Sequence, residues 1–195
     1  MSTAKKNPSA RERILETATE LFANQGFRAT GVNEIIEKSG VAKATFYTHF
    51  PTKDDLCLVY LRTRDTFELD SIKAYVAKKR TPWGRFLAVI ESLEPWLKNT
   101  DLRGCGFLNM VAEVPDSKSP LRKVGKKHYQ SIRALIRELA AELIESDEQH
   151  YGNLDPDAVT DEYMVIISGS VALTEVYHDT WPIRQGIDMV ARLVD

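Results

Sequence analysis

Apolar residues recur at helical spacing along almost the whole chain, and no segment alternates apolar and polar residues with period two. That pattern excludes a sheet and constrains the fold to stacked amphipathic helices. Ile14, Leu15, Ala18, Leu21 and Phe22 mark one face of a first helix. Gly26 is expected to end it in a left-handed cap, with Phe27 packed behind. Two short helices follow, over about 32–39 and 43–50, joined by a tight turn at Gly40-Val41. Val32, Ile35 and Ile36 are the expected core face of the first of these. Pro51 ends the second. Thr52-Lys53-Asp54-Asp55 reads as a capping-box start for a long helix reaching about residue 79. Leu56, Val59, Thr63 and Phe67 space its expected buried face.

Downstream the same period continues. Thr81-Pro82-Trp83 opens a helix with proline at its first position, and Pro95 is expected to kink or end it. Gly104-Cys105-Gly106 breaks the chain before a short helix over 107–114, which Pro115 closes. A long amphipathic helix over about 120–145 carries His128, Ile132, Leu135, Ile136, Leu139 and Leu143 on one face. A polar loop leads to helices starting at Pro156 and Pro182. Residues 1–9 read as a disordered tail.

Charge is unevenly placed. The net charge is −2, yet residues 1–53 hold eight Lys/Arg against five Asp/Glu, and residues 54–195 hold eighteen against twenty-three. A basic head on an acidic body confines attraction for phosphate to one end. The apolar content of 43% suffices for a sizeable core. Apolar runs such as Tyr163 through Ile167 fall far short of the roughly 20 residues that span a bilayer. The opening MSTAKKNPSARER lacks the apolar stretch of a secretory signal. A cytoplasmic protein with no membrane partner is expected. Cys57 and Cys105 form no CxxC pair, so neither a metal site nor a cofactor is expected. HExxH, GxSxG and glycine-rich phosphate loops are absent from the sequence, and the chain does not read as an enzyme.

Two short helices joined by a glycine turn outline a helix-turn-helix. The residues sharpen that outline. Ile14-Leu15-Glu16-Thr17-Ala18, Leu21-Phe22-Ala23-Asn24-Gln25-Gly26-Phe27, Thr30, Val32, Ile35 and the run Gly40-Val41-Ala42-Lys43-Ala44-Thr45-Phe46-Tyr47-Thr48-His49-Phe50-Pro51-Thr52-Lys53-Asp54-Asp55-Leu56 closely resemble the DNA-binding head of the TetR family. The resemblance covers about residues 11–56; the rest agrees in length and helical layout. It implies an all-α protein. A three-helix helix-turn-helix head over 10–55 would join, through a long helix, a ligand-binding and dimerising body over 56–195. It also implies a transcription regulator, most often a repressor, that binds a palindromic double-stranded operator as a homodimer and is released by a small molecule.

Roles follow position by position. The helix over 43–50 would enter the major groove, with Lys43, Ala44 and Thr45 nearest the bases. Tyr47, His49, Lys53 and Thr30 match the family's phosphate contacts, and Asn33 is placed to read an adenine edge. The plainer alternatives are a packing role for Tyr47 and an ordinary solvated charge at Lys53. Ala42 and Ala44 stand where the family often has Ser and Gly. Ala42 therefore offers no side-chain cap, a loss of about 1 kcal/mol.

In the body, the last two helices would form the dimer interface through Tyr163, Ile166, Ile167, Gly169, Ser170, Leu173, Ile187 and Val190. Phe67, Trp83, Trp96, Cys105, Phe107, Asn109, His128, Tyr129 and Tyr177 are candidate walls for an apolar or aromatic ligand. Cys105 resembles a Gly-Cys segment found in one branch of the family, some members of which sense oxidants or electrophiles. A ligand-independent DNA binder is the remaining alternative.

Overall fold

The computed structural model describes residues 7–195, which contain eleven α-helices and no strand. They run in the order α1 (Ala10–Gln25), α2 (Val32–Ser39), α3 (Lys43–His49), α4 (Lys53–Val76), α5 (Pro82–Glu91), α6 (Leu93–Asn99), α7 (Gly106–Glu113), α8 (Pro120–Ser146), α9 (Glu148–Tyr151), α10 (Pro156–Tyr177) and α11 (Trp181–Ala191). The chain divides into two compact units. One takes the chain through Arg64 together with Phe107–Gly125; the other takes Asp65–Gly106 and Lys126–Asp195. The unit containing the helix-turn-helix is thus larger than the 10–55 stretch and recruits α7 and the start of α8.

Most of the expected tail, residues 1–6, lies outside the described residues. Ser9 is ordered: it caps α1 in a reciprocal box, accepting from Glu12 N–H while Glu12 accepts from its own N–H. Thr52 and Asp55 form the box anticipated at the start of α4. Gly26 departs from expectation. Its φ of 86° and ψ of 168° are not left-handed helical but lie in a region essentially reserved for glycine. Gly40 is the left-handed cap, at φ 64° and ψ 33°. Pro95 interrupts the helix as expected: it has no N–H for the Glu91 carbonyl four residues upstream, and α5 ends at Glu91. The chain kinks at Ser92, between α5 and α6, and Pro95 falls in the first turn of α6, where no N–H is needed. The polar loop before Pro156 contains the one-turn α9.

Helix α4 is turned relative to its sequence reading. Leu56 is buried, but Thr63 and Phe67 are exposed, Phe67 by 68%. The buried side is Leu56, Cys57, Tyr60, Leu61, Glu68, Ile72 and Val76. A buried carboxylate on that side and an exposed phenyl on the other disguise the true face.

In the first unit, Ile14, Ala18, Phe22, Ile35, Phe46, Phe50, Leu56 and Leu61 are buried, and the Phe22 and Tyr60 rings lie 5.4 Å apart. In the second, Tyr163 organises the core. Its hydroxyl donates to Phe86 O at 2.8 Å and accepts from Ile90 N–H at 3.1 Å, while its ring meets Phe86 edge-on. Tyr163 is wholly buried, so its phenol is held far above the usual range. Gly186 lets α11 close onto Ser170 of α10 and Ile90 of α5, where a Cβ would collide.

Candidate nucleic-acid interface

The helix-turn-helix is built by opposite faces of α3. Phe46 and Phe50 point into the core, their rings 6.2 Å apart. The other side leaves Lys43, Ala44, Tyr47, Thr48 and His49 exposed, with Thr45 half-buried at the edge. The Tyr47 ring packs edge-on against Phe46, centroids 5.3 Å apart, and the residue is exposed. Thr48 spends its hydroxyl locally, donating to Ala44 O at 2.9 Å. Ala42 precedes the helix without a side-chain cap, as its methyl requires. Asn33 is exposed in the first turn of α2, whose N-cap, Gly31, also supplies no side-chain bond. Glu34 nearby bonds Lys38 and Gln25, which hold its carboxyl below the usual range.

Two anticipated phosphate ligands make contacts within the protein. Thr30 is wholly buried, and its hydroxyl donates to Gly26 O at 2.7 Å. The Lys53 ammonium donates to Phe27 O at 2.9 Å and Thr30 O at 3.1 Å, and sits 4.2 Å from the centre of the Phe27 ring. Both side chains fasten the 26–31 turn, whose main-chain carbonyls need donors. Arg28, on the same turn, is exposed.

The second unit places the other candidates unevenly. Trp83, Trp96 and Tyr129 are half-buried. His128 is buried, with Nδ1 2.9 Å from Asp65 Oδ1 and Nε2 3.7 Å from Glu68 Oε2. The Tyr129 hydroxyl shares hydrogen bonds with Cys105 and Ser168, and burial, then Cys105, raises its pKa. Cys105 itself is buried. Phe67 and Tyr177 are exposed. Phe107 is fully buried and Asn109 half-buried, both in the first unit.

The expected dimer face is also revised. Tyr163, Ile167, Ser170 and Val190 belong to the protomer's own core. Ile166 and Ile187 are half-buried, and Gly169 and Leu173 are exposed. Sequence reasoning missed Val165 and Val176, each 74% exposed, with Tyr177, Trp181 and Met189. Residues 165, 169, 173 and 176 share one side of α10, opposite its buried stripe. The signal was present as a second apolar stripe on a helix that already had one.

An exposed polar face on the second of two short helices, carried on an all-helical chain, defines a helix-turn-helix DNA-binding protein. Comparison with known proteins is consistent. The family model for bacterial regulatory proteins of the tetR family matches residues 14–59, and that for the tetracyclin repressor-like C-terminal domain matches residues 82–190. The chain belongs to the TetR family of transcriptional regulators. It is 29% identical to the HTH-type transcriptional regulator LmrA of Bacillus subtilis (strain 168) over 131 residues, 66% of this chain and 70% of that protein. It is likewise 29% identical to the uncharacterized HTH-type regulator YxaF of the same organism over 129 residues, 65% of this chain and 68% of the other. Among solved structures it resembles SCO4454, a TetR-family regulator from Streptomyces coelicolor, with TM-score 0.85 and 29% identity over 95% of this chain and 94% of that one.

Proposed function

We propose that the protein is a homodimeric repressor that occupies a palindromic operator and leaves it when a small molecule binds its second unit. The carrying observation is the outward face of α3, where Lys43, Ala44 and Tyr47 stand exposed above the buried Phe46 and Phe50. Such a face has no packing task and suits a major groove. The C-terminal match to tetracyclin repressor-like domains supports the repressor sign.

The apolar stripe Val165, Leu173 and Val176, with Trp181 and Met189, supports dimerisation, because exposed apolar surface of this kind marks an interaction face. A dimer presents two α3 helices to half-sites one helical turn, about 34–36 Å, or a multiple of it apart. The inducer is an apolar or aromatic molecule, met by Trp83, Trp96 and Tyr129 with polar contacts from His128. Release requires it to favour a conformation whose heads no longer fit the operator. A thiol trigger at Cys105 draws less support: the sulfur is buried, and a reactive thiolate needs access and a cation. The protein acts in the cytoplasm and performs no catalysis.

Footprinting on the DNA next to its own gene, paired with transcription in vitro, tests the reading. Protection of a dyad with reduced transcription is expected. Unprotected DNA, or increased transcription, would overturn it.

A further inference from the structure

The turn between α1 and α2 is gripped from a distant part of the sequence. Glu113, the last residue of α7, accepts the Arg28 N–H through Oε2 at 2.6 Å. Its other oxygen lies against Gly26, so close that an added Cβ there would stand 2.6 Å from Oε1. An acidic side chain at a helix C-terminus opposes the helix dipole. Its place at the end of α7 is therefore explained by the turn it holds and not by helix stability.

Helix α7 is itself firmly mounted. Arg122 donates from Nη1 to Val111 O and Val114 O, each at 2.8 Å, and Gly125 admits Val111 against α8. We infer that Glu113 is a positioning residue for DNA binding. Its carboxylate sets the 26–31 turn, which aims α2 and α3. The contact needs two things: an acceptor oxygen, and the full length of the side chain. The charge itself is dispensable.

That separation gives the test. Operator DNA is first selected from a random duplex pool by the wild-type protein. Binding to it, and hydrogen exchange at the Arg28 amide, are then measured for Glu113→Ala, Glu113→Asp and Glu113→Gln without any inducer. Glu113→Ala and Glu113→Asp, the latter one methylene too short, should each lose about tenfold in operator affinity and in Arg28 protection. Glu113→Gln should stay within about twofold of wild type. Amides in α1 and α2 that remain protected report that the head is folded. Arg122→Ala, which loosens α7 without touching the turn, should reproduce the loss and add little to Glu113→Ala. Unchanged Arg28 exchange in Glu113→Ala, wild-type binding by Glu113→Asp, or full additivity with Arg122→Ala would overturn the inference. The outcome is independent of whether the protein represses or responds to a ligand.

Discussion

The Lys53 ammonium lies 4.2 Å from the centre of the Phe27 ring while donating to the Phe27 carbonyl. A cation placed so is a structural clamp: ring, Phe27 O and Thr30 O together share its donors. Removing a phosphate contact lowers the dependence of log K on log salt by about 0.9 per charge. Lys53→Met should instead weaken operator binding with that slope nearly unchanged, and should lower stability by about 1–2 kcal/mol. A slope reduced by a full unit at wild-type stability would identify Lys53 as a phosphate ligand.

Tyr47 and Lys43 should separate by specificity. Tyr47→Phe removes only the hydroxyl of an exposed residue and keeps the ring contact, and should weaken binding to all duplexes alike by several-fold, without a shift in Tm. Lys43→Ala should change which bases are preferred in selected duplexes. Identical base preferences for Lys43→Ala and wild type would show that Lys43 contacts only backbone.

The exposed stripe of α10 predicts the assembly. Val176→Asp leaves the protomer core untouched, since the side chain is exposed, yet would bury an unpaired charge in a dimer at a cost of several kcal/mol. Sedimentation should show a wild-type dimer and a folded Val176→Asp monomer. A wild-type monomer at micromolar concentration would refute the dimer.

Tyr163→Phe should be costly although the ring is kept. Phe86 O and Ile90 N–H both lose the hydroxyl they share in the core. A loss of about 1–3 kcal/mol is expected, or several degrees in Tm. Calorimetry checks it, and operator affinity measured below the transition should be unchanged.

Cys57 supplies a pH dependence. Burial first, then Asp54, pushes its thiol up to about 12. In the unfolded chain it ionises near 8.5. The folded state therefore keeps a proton that the unfolded state releases, so this contribution is complete below about pH 8.5 and declines as pH rises towards 12. Between pH 8.5 and 10 wild type should lose about 1–2 kcal/mol that Cys57→Ala does not lose. Parallel urea titrations of the two proteins give the comparison. Equal slopes against pH would show that the thiol does not titrate late.

The sequence by itself determined the helical class, the helix-turn-helix and most helix ends, because these rest on local chemistry. Apolar spacing, the Thr52–Asp55 box, prolines at helix starts and Gly40 each act within a few residues. It determined the outward side of α3 as well, since Phe46 and Phe50 leave only one face exposed. Tertiary structure decided what long-range partners decide. Glu68 is buried and Phe67 exposed because the environment of α4 sets its rotation, which a mixed face cannot declare. Tyr163 reads as one more apolar residue until its hydroxyl finds Phe86 and Ile90. That Lys53 and Thr30 donate to carbonyls of the 26–31 turn is likewise visible only in the folded chain. Glu113 carries no local signal at all: its partners, Gly26 and Arg28, lie more than eighty residues away, and only the folded chain brings a carboxylate and a bare N–H within 2.6 Å.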